Sequence, residues 1–343
     1  MKPFVKSGLV ITAGVSCVLA VCVSTASAQQ KHAILGATQA PKASDTVFAE
    51  PEDNWQSVYK FINSATKTLD MTMYELADTT AQQDLAADAK KGVKVRVILD
   101  QNREQSNNQA AYDYLKSNGV DVVWAPSGFA ATHQKTITVD GTTSLILTGN
   151  LTSRYYSTTR DFGVIDPDAT DVQAIEDVFN ADFASKSITP NDGDDLVWSP
   201  TDSQSQLEKL IDSAQSSLSI ENEEMGDSTI VNDLVNAAKR GVDVKVTMTN
   251  TGNNYASEFN TLTSAGVHVS TYSSSASLYI HAKVIIADYG KTGAKVFLGS
   301  ENFSDYSLNK NRELGLITTD SGILDSVNST LSSDYSGATP WNG

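Results

Sequence analysis

The chain contains one segment twice, and that duplication limits the folds open to it more than any other feature. Residues 51–97 align without gaps onto 200–246 at an offset of 149, with 18 identities in 47 positions. The anchors are "INSATKTL" against "IDSAQSSL" and "DLAADAKKGVKVRV" against "DLVNAAKRGVDVKV". Identities in register through several elements mean one structural unit built twice. In the first copy Trp55, Val58, Phe61, Ile62 and Ala65 recur at helical spacing. "LDMTMYEL" follows as a strand, then "TAQQDLAADAKKG" as a helix closed by Lys90, Lys91 and Gly92. The alternating "VKVRVIL", a helix near 107–117 and the strand "VDVVW" complete the run. The second copy matches it through "VDVKVTM", "YASEFNTLTSAG" and "VHVSTY". Helices and strands alternating at these lengths predict an α/β chain with a mostly parallel sheet and helices on both faces. The copies are expected to meet about a pseudo-twofold axis, which brings equivalent strand ends together.

At 343 residues there is room for two such units. Residues 1–28 read as a secretory signal: Lys2 and Lys6, an apolar run from Gly8 to Val23, then Ala26–Ala28 as an A-x-A cleavage site. Residues 29–46 read as a linker, 47–195 as the N-terminal lobe and 196–343 as the C-terminal lobe. Cleavage near Ala28 would remove both cysteines, Cys17 and Cys22, and leave no thiol for catalysis, metal binding or disulfides. It would also take the net charge from −16 to −18 by removing Lys2 and Lys6. A secreted or periplasmic protein is expected, with no membrane-spanning segment in the mature chain. So acidic a surface repels phosphate backbones and counts against broad electrostatic binding of nucleic acid.

Chemistry falls at matching places in the two copies. "THQKTITVDG" and "YIHAKVIIADYG" both contain His-x-Lys-x-x-x-x-Asp: His133, Lys135 and Asp140, then His281, Lys283 and Asp288. Residues i and i+2 of a strand share a face, so imidazole and ammonium would stand side by side while Val284 and Ile286 pack on the other face. That pairing offers a phosphate a nucleophile and a positive charge together. Downstream lie "LILTGNLTSRYYSTTRDFGVI" and "VFLGSENFSDYSLNKNRELGLI". They contribute Gly149, Asn150 and Asp161 in one copy and Gly299, Ser300, Asn302 and Glu313 in the other. A carboxylate on Nδ1 of an imidazole fixes its tautomer and raises its basicity.

These paired motifs, with "GSEN" and "NRELG", resemble the phospholipase D superfamily of the bilobal type, over essentially all of residues 47–343. The resemblance implies a duplicated α/β/α sandwich, two lobes sharing one active site at their interface, and no metal or other cofactor. It implies that one histidine attacks phosphorus to form a phosphohistidine, while the other protonates the leaving alcohol and then activates water or an acceptor alcohol. His133 is the favoured nucleophile. Lys135, Lys283, Asn150 and Asn302 would hold the phosphoryl oxygens. Crossed pairing would set Glu313 on His133 and Asp161 on His281, with Asp140 and Asp288 structural. The first copy departs from the second: "TGNLT" reads as two residues shorter than "GSENFS", and Thr159 stands in the place of Asn311.

Other residues carry less. Glu75 and Glu224 are equivalent, near the end of a first strand and therefore near the site, or else solvated or capping. Tyr155 and Tyr156 are expected in the core, with lining of a substrate groove as the alternative, His268 on the surface and His32 in the linker. No nucleotide loop, zinc spacing or calcium loop appears, so no cofactor is expected. The leading function is a secreted phospholipase D acting on a glycerophospholipid at a membrane or micelle surface, as a monomer, with transphosphatidylation possible. The alternatives are a secreted metal-independent nuclease, a cardiolipin-synthase-like transferase, and a binding module that has lost activity.

Overall fold

A computed structural model of the chain describes residues 45–343. The expected signal, nearly all of the linker, both cysteines and His32 lie outside the described residues.

Capping and turn chemistry explain why the repeat survives where it does. In the first half β1 (Thr46–Glu50) precedes α1 (Gln56–Ile62), β2 (Thr68–Met73), α2 (Thr79–Lys91), β3 (Lys94–Leu99), α3 (Gln105–Ser117) and β4 (Asp121–Trp124). Then come β5 (Thr136–Val139), β6 (Thr143–Leu147), β7 (Thr159–Asp166) and α4 (Ala169–Phe183). The second half repeats this as β8 (Leu196–Ser199), α5 (Ser203–Ser213), β9 (Ser217–Glu221), α6 (Ser228–Lys239), β10 (Asp243–Asn250), α7 (Ala256–Ser264) and β11 (His268–Ser273). It ends with β12 (Tyr279–Ile280), β13 (Val284–Ala287), β14 (Lys295–Gly299), α8 (Asp305–Asn309), β15 (Glu313–Thr318), α9 (Ser321–Gly337) and β16 (Thr339–Pro340). Asp78 caps α2 by accepting from the N–H groups of Thr80 and Ala81, and Asp227 caps α6 identically through Thr229 and Ile230. Gly92 ends α2 at φ +96°, a conformation that favours glycine.

Each half builds one mixed sheet. The strand orders are β1-β7-β6-β5-β2-β3-β4 and β8-β15-β14-β13-β9-β10-β11-β16, so equivalent strands hold equivalent places. The expectation of a mostly parallel sheet is corrected here. Only β2-β3-β4 and β9-β10-β11 run parallel within these two paths, and the remaining neighbours pair antiparallel. The parallel strands are those joined by helices. β5 and β6 are joined by a short turn, as β13 and β14 are by a longer one, and such connections return the chain antiparallel.

Alternate residues of the strands feed different cores. Leu69, Met71 and Met73 of β2 face the side of α1, α2 and α3, and Val244, Val246 and Met248 of β10 face that of α5, α6 and α7. On β13, Ile285 and Ala287 join this second core, whereas Val284 and Ile286 turn into a third. The third core lies between the sheets and holds α4 and α9, with Ile175 and Val178 packed in one cluster with Val327 and Leu331. Helices therefore cover both faces of each sheet, as expected. The halves also interlock, because β12 pairs parallel with the first residues of β7, Thr159 and Arg160, across the boundary. Among the described residues no helix is long and apolar enough to cross a membrane.

Candidate active site

The two motif aspartates fix where the site is built. Asp140 sits at φ +55° and accepts from the backbone N–H groups of Thr66, Lys67 and Thr68 and the Thr66 hydroxyl. Asp288, at φ +57°, does the same with Gln215, Ser216 and Ser217. Each ties the far end of a motif strand to the start of the neighbouring strand, β2 or β9. Burial opposes ionisation of Asp140, but these hydrogen bonds outweigh it and hold the carboxyl at about 2. Such a group stabilises the fold above the ordinary carboxyl range near pH 4, and that stability is lost as pH falls through about 2. Asp140→Ala is expected to cost about 1–3 kcal/mol in denaturant unfolding at pH 7, and less when measured near pH 2. An unchanged unfolding midpoint at pH 7 would refute the anchoring role.

His133 and Lys135 lie in the extended segment just before β5, and His281 and Lys283 just before β13. The motif pairs are thus not within the strands, as expected, but where the chain arrives from the opposite lobe. The backbone N–H groups of His133 and Gln134 donate to the carbonyl of Arg312, and that of His281 donates to the carbonyl of Arg160. Each ammonium then folds back to donate to the carbonyl of its own histidine, Lys135 to His133 and Lys283 to His281, both at 2.5 Å. Side-by-side placement survives without the strand.

The carboxylates cross the interface. His133 Nδ1 lies 2.7 Å from Glu313 Oε2, and His281 Nδ1 lies 2.8 Å from Asp161 Oδ1. Glu313 is fixed by the Ser307 hydroxyl at 2.5 Å and the Asn311 amide at 2.9 Å, Asp161 by the Thr148 hydroxyl at 2.7 Å. Burial would raise both carboxyls, but the facing histidines hold them below the usual carboxylate range. Burial pulls the His133 imidazole down, with Glu313 opposing. A neutral ring donating from Nδ1 to Glu313 keeps its lone pair on Nε2. Lys135 is fully enclosed, and burial together with the charge of Lys283 brings it down to about 7.

Asn150 and Asn302 occupy matching places, each with a buried side-chain oxygen that has no hydrogen-bond partner among the described residues. The register corrects the reading of a shorter first segment. Leu147 and Gly299 both donate to the motif lysine's carbonyl, and Thr148 and Ser300 to Phe162 and Leu314. Asn150 therefore matches Asn302 directly, and the length difference falls in the turns after Asp140 and Asp288. Within this segment the copies differ in that Glu301 stands at the place of Gly149. A Cβ on Gly149 would come within 2.7 Å of the Asp161 carboxyl, so the glycine leaves room for the group that meets His281. Glu301 is wholly enclosed, and burial pushes its carboxyl well above the usual range.

Several site residues gave no sequence signal. Glu223, not Glu224, reaches the second pair: its Oε2 is 3.5 Å from both His281 Nε2 and Lys283 Nζ, and Tyr279 donates to its Oε1 at 3.0 Å. Glu224 instead lines a 150 Å³ cavity beside His133 with Asn302 and Tyr74, while Glu75 pairs with Arg154. Arg312 is clasped by Asp182 of α4 and Arg160 by Asp334 of α9 in buried ion pairs, with the exposed Glu52 adding a second partner for Arg160, so the carbonyls that hold the histidine segments are anchored. Tyr156 is buried and stacked on Trp55 as expected of the core, whereas Tyr155 is half exposed. His268 is on the surface beside Asp243.

A search of curated proteins found no match. The family described as "Cardiolipin synthase, PLD-like domain" matches residues 58–183 and 207–335, one match in each half. Among solved structures, phosphatidylserine synthase from Haemophilus influenzae Rd KW20 superposes with a TM-score of 0.67 at 13% identity, covering 88% of each chain. Polyphosphate kinase from Porphyromonas gingivalis superposes with a TM-score of 0.66 at 14% identity, covering 84% of this chain. The chain spans 50% of that kinase. A phospholipase D family member, Nuc from Salmonella typhimurium, is similar at 25% identity and a TM-score of 0.38, covering 43% of this chain and 97% of its own.

Proposed function

This chain belongs to the phospholipase D superfamily, whose members act on phosphodiesters, and from that premise we propose that it is a phospholipase D. In this reading it hydrolyses the distal phosphodiester of a glycerophospholipid through a phosphohistidine and transfers the phosphatidyl group when an alcohol competes with water. The observation that carries the reading is the crossed pairing, in which each motif histidine is held at Nδ1 by a carboxylate from the other lobe. That leaves two Nε2 edges for the chemistry, one to attack phosphorus and one to move a proton. Lys135, Lys283 and the side-chain NH₂ groups of Asn150 and Asn302 would supply the positive and hydrogen-bonding surroundings that a phosphoryl group needs as charge builds on its oxygens.

A lipid rather than a polynucleotide is favoured by the net charge of −16, which penalises a polyanion far more than a zwitterionic headgroup. The name of the matched family points to lipid phosphodiester chemistry as well. Protein in EDTA is expected to release choline from phosphatidylcholine vesicles, to form phosphatidylethanol when ethanol is present, and to leave plasmid DNA intact. Nicking of the plasmid without choline release would overturn the lipid reading in favour of a nuclease.

A further inference from the structure

We propose that Glu223 determines which alcohol arm the substrate carries, and that with Tyr279 and Tyr255 it forms a subsite for a positively charged headgroup, a quaternary or primary ammonium. The inference deepens the phospholipase reading above and rests on it. The repeat places Tyr74 where the second half has Glu223, at the offset of 149, so only one half of the site has the carboxylate. Tyr74 meets His133 edge-on at 4.6 Å between ring centres, with the Lys135 ammonium 5.1 Å from its ring. Glu223 meets its pair through charge.

The carboxylate is fixed and stays charged. Its Oε2 accepts from the Lys283 ammonium at 3.5 Å, and Tyr279 of β12 donates to its Oε1 at 3.0 Å. Burial would raise the Glu223 carboxyl, but His281 and Lys283 outweigh burial and hold it at about 2. The side chain is nevertheless 26% exposed, so a ligand seated on the second pair can reach it. Burial and the charges of Glu224 and Glu223 push the Tyr255 hydroxyl up to about 12, so that ring stands beside the same acids. A carboxylate with aromatic rings beside it suits an ammonium, which is drawn both to the charge and to the ring faces. Glu224 extends this wall into the cavity beside His133. There Asn302, only 6% exposed, leaves its side-chain oxygen without a partner among the described residues.

The balance of charge points to the same ligand. Asp161, Glu313 and Glu223 are all held below the usual carboxylate range, and they face two ammoniums, Lys135 and Lys283. Arg103 also lines the cavity beside His133, but it is exposed and stands against the Tyr306 ring. With neutral imidazoles, the groups around the two pairs carry three negative charges against at most two positive ones. A phosphodiester adds one more negative charge, which the lysines meet locally. A cation on its alcohol arm then restores the balance beside Glu223, whereas a neutral or anionic arm leaves that carboxylate facing the phosphate uncompensated.

Headgroup preference tests this. In the same detergent micelles, wild-type kcat/KM is expected to be at least about tenfold higher on short-chain phosphatidylcholine than on phosphatidylglycerol of the same acyl chains. Glu223→Gln is expected to bring the two within about threefold, chiefly by raising KM for the choline ester, with Glu223→Asp keeping part of the preference. A wild-type preference below about threefold, or one that Glu223→Gln leaves unchanged, would overturn the proposal, since a merely structural defect slows both esters alike. Binding needs no lipid turnover and separates the two readings. By calorimetry the wild type is expected to bind choline phosphate at least about tenfold more tightly than methyl phosphate, a difference that vanishes in Glu223→Gln. Wild-type protein inert on both lipids yet discriminating in this way would overturn the phospholipase reading and keep the subsite. Equal binding of the two phosphates within about threefold would overturn the subsite itself.

Discussion

Alanine at either His133 or His281 is expected to lower phosphodiester turnover by about 10⁴-fold or more, and the double variant is expected to be hardly worse than either single one. Attack on phosphorus and protonation of the leaving oxygen belong to one transition state, so removing either partner disables the step the other serves. The geometry gives no substitute, because each imidazole is enclosed by the backbone of Arg312 or Arg160 and a carboxylate from the opposite lobe. Thermal unfolding of the variants alongside single-turnover rates separates chemistry from folding. Should either single variant retain activity within about tenfold of wild type, a shared two-histidine site would be wrong.

Glu313→Gln and Asp161→Asn are the next largest, each expected to cost roughly 10²–10⁴-fold in kcat with little change in stability. An amide fills the same space, yet it can offer its NH₂ group to Nδ1 and turn the imidazole to the other tautomer, moving the lone pair or proton away from the phosphoryl group. Glu313 also accepts from Ser307 and Asn311, donors that favour keeping the amide oxygen toward them and the NH₂ toward the ring. The measurement is kcat with each purified variant on one phosphodiester. Rates within threefold of wild type for both would mean that the crossed carboxylates do not orient the histidines.

Much of this was legible in the residues because it depends on local chemistry. The turn at Gly92 and the anchors Asp140 and Asp288 depend on backbone groups close by in sequence or across one strand pair, so the repeat keeps them in register. The His-x-Lys spacing was readable for the same reason. The antiparallel half of each sheet was hidden because alternation of helix and strand describes the parallel strands alone, while β5, β6 and β7 follow one another through turns and loops. The segment around Asn150 read as shorter than its partner because the extra residues of the second copy lie in the turn after Asp288, outside the segment being compared.

Glu223 was missed for a different reason. At its place the first copy has Tyr74, and a repeat reveals a residue only where both copies keep it. Nor does anything beside Glu223 mark it off from Glu224, since both are acids after the same strand. What decides between them is which one faces a histidine 58 residues further on. The sequence by itself determined that there are two units, that each brings a histidine and a lysine, and that each ends in a carboxylate. Only the tertiary structure decided that these carboxylates serve the opposite lobe and that one half-site carries an extra charge, because those relations depend on strand edges meeting across an interface that no local pattern encodes.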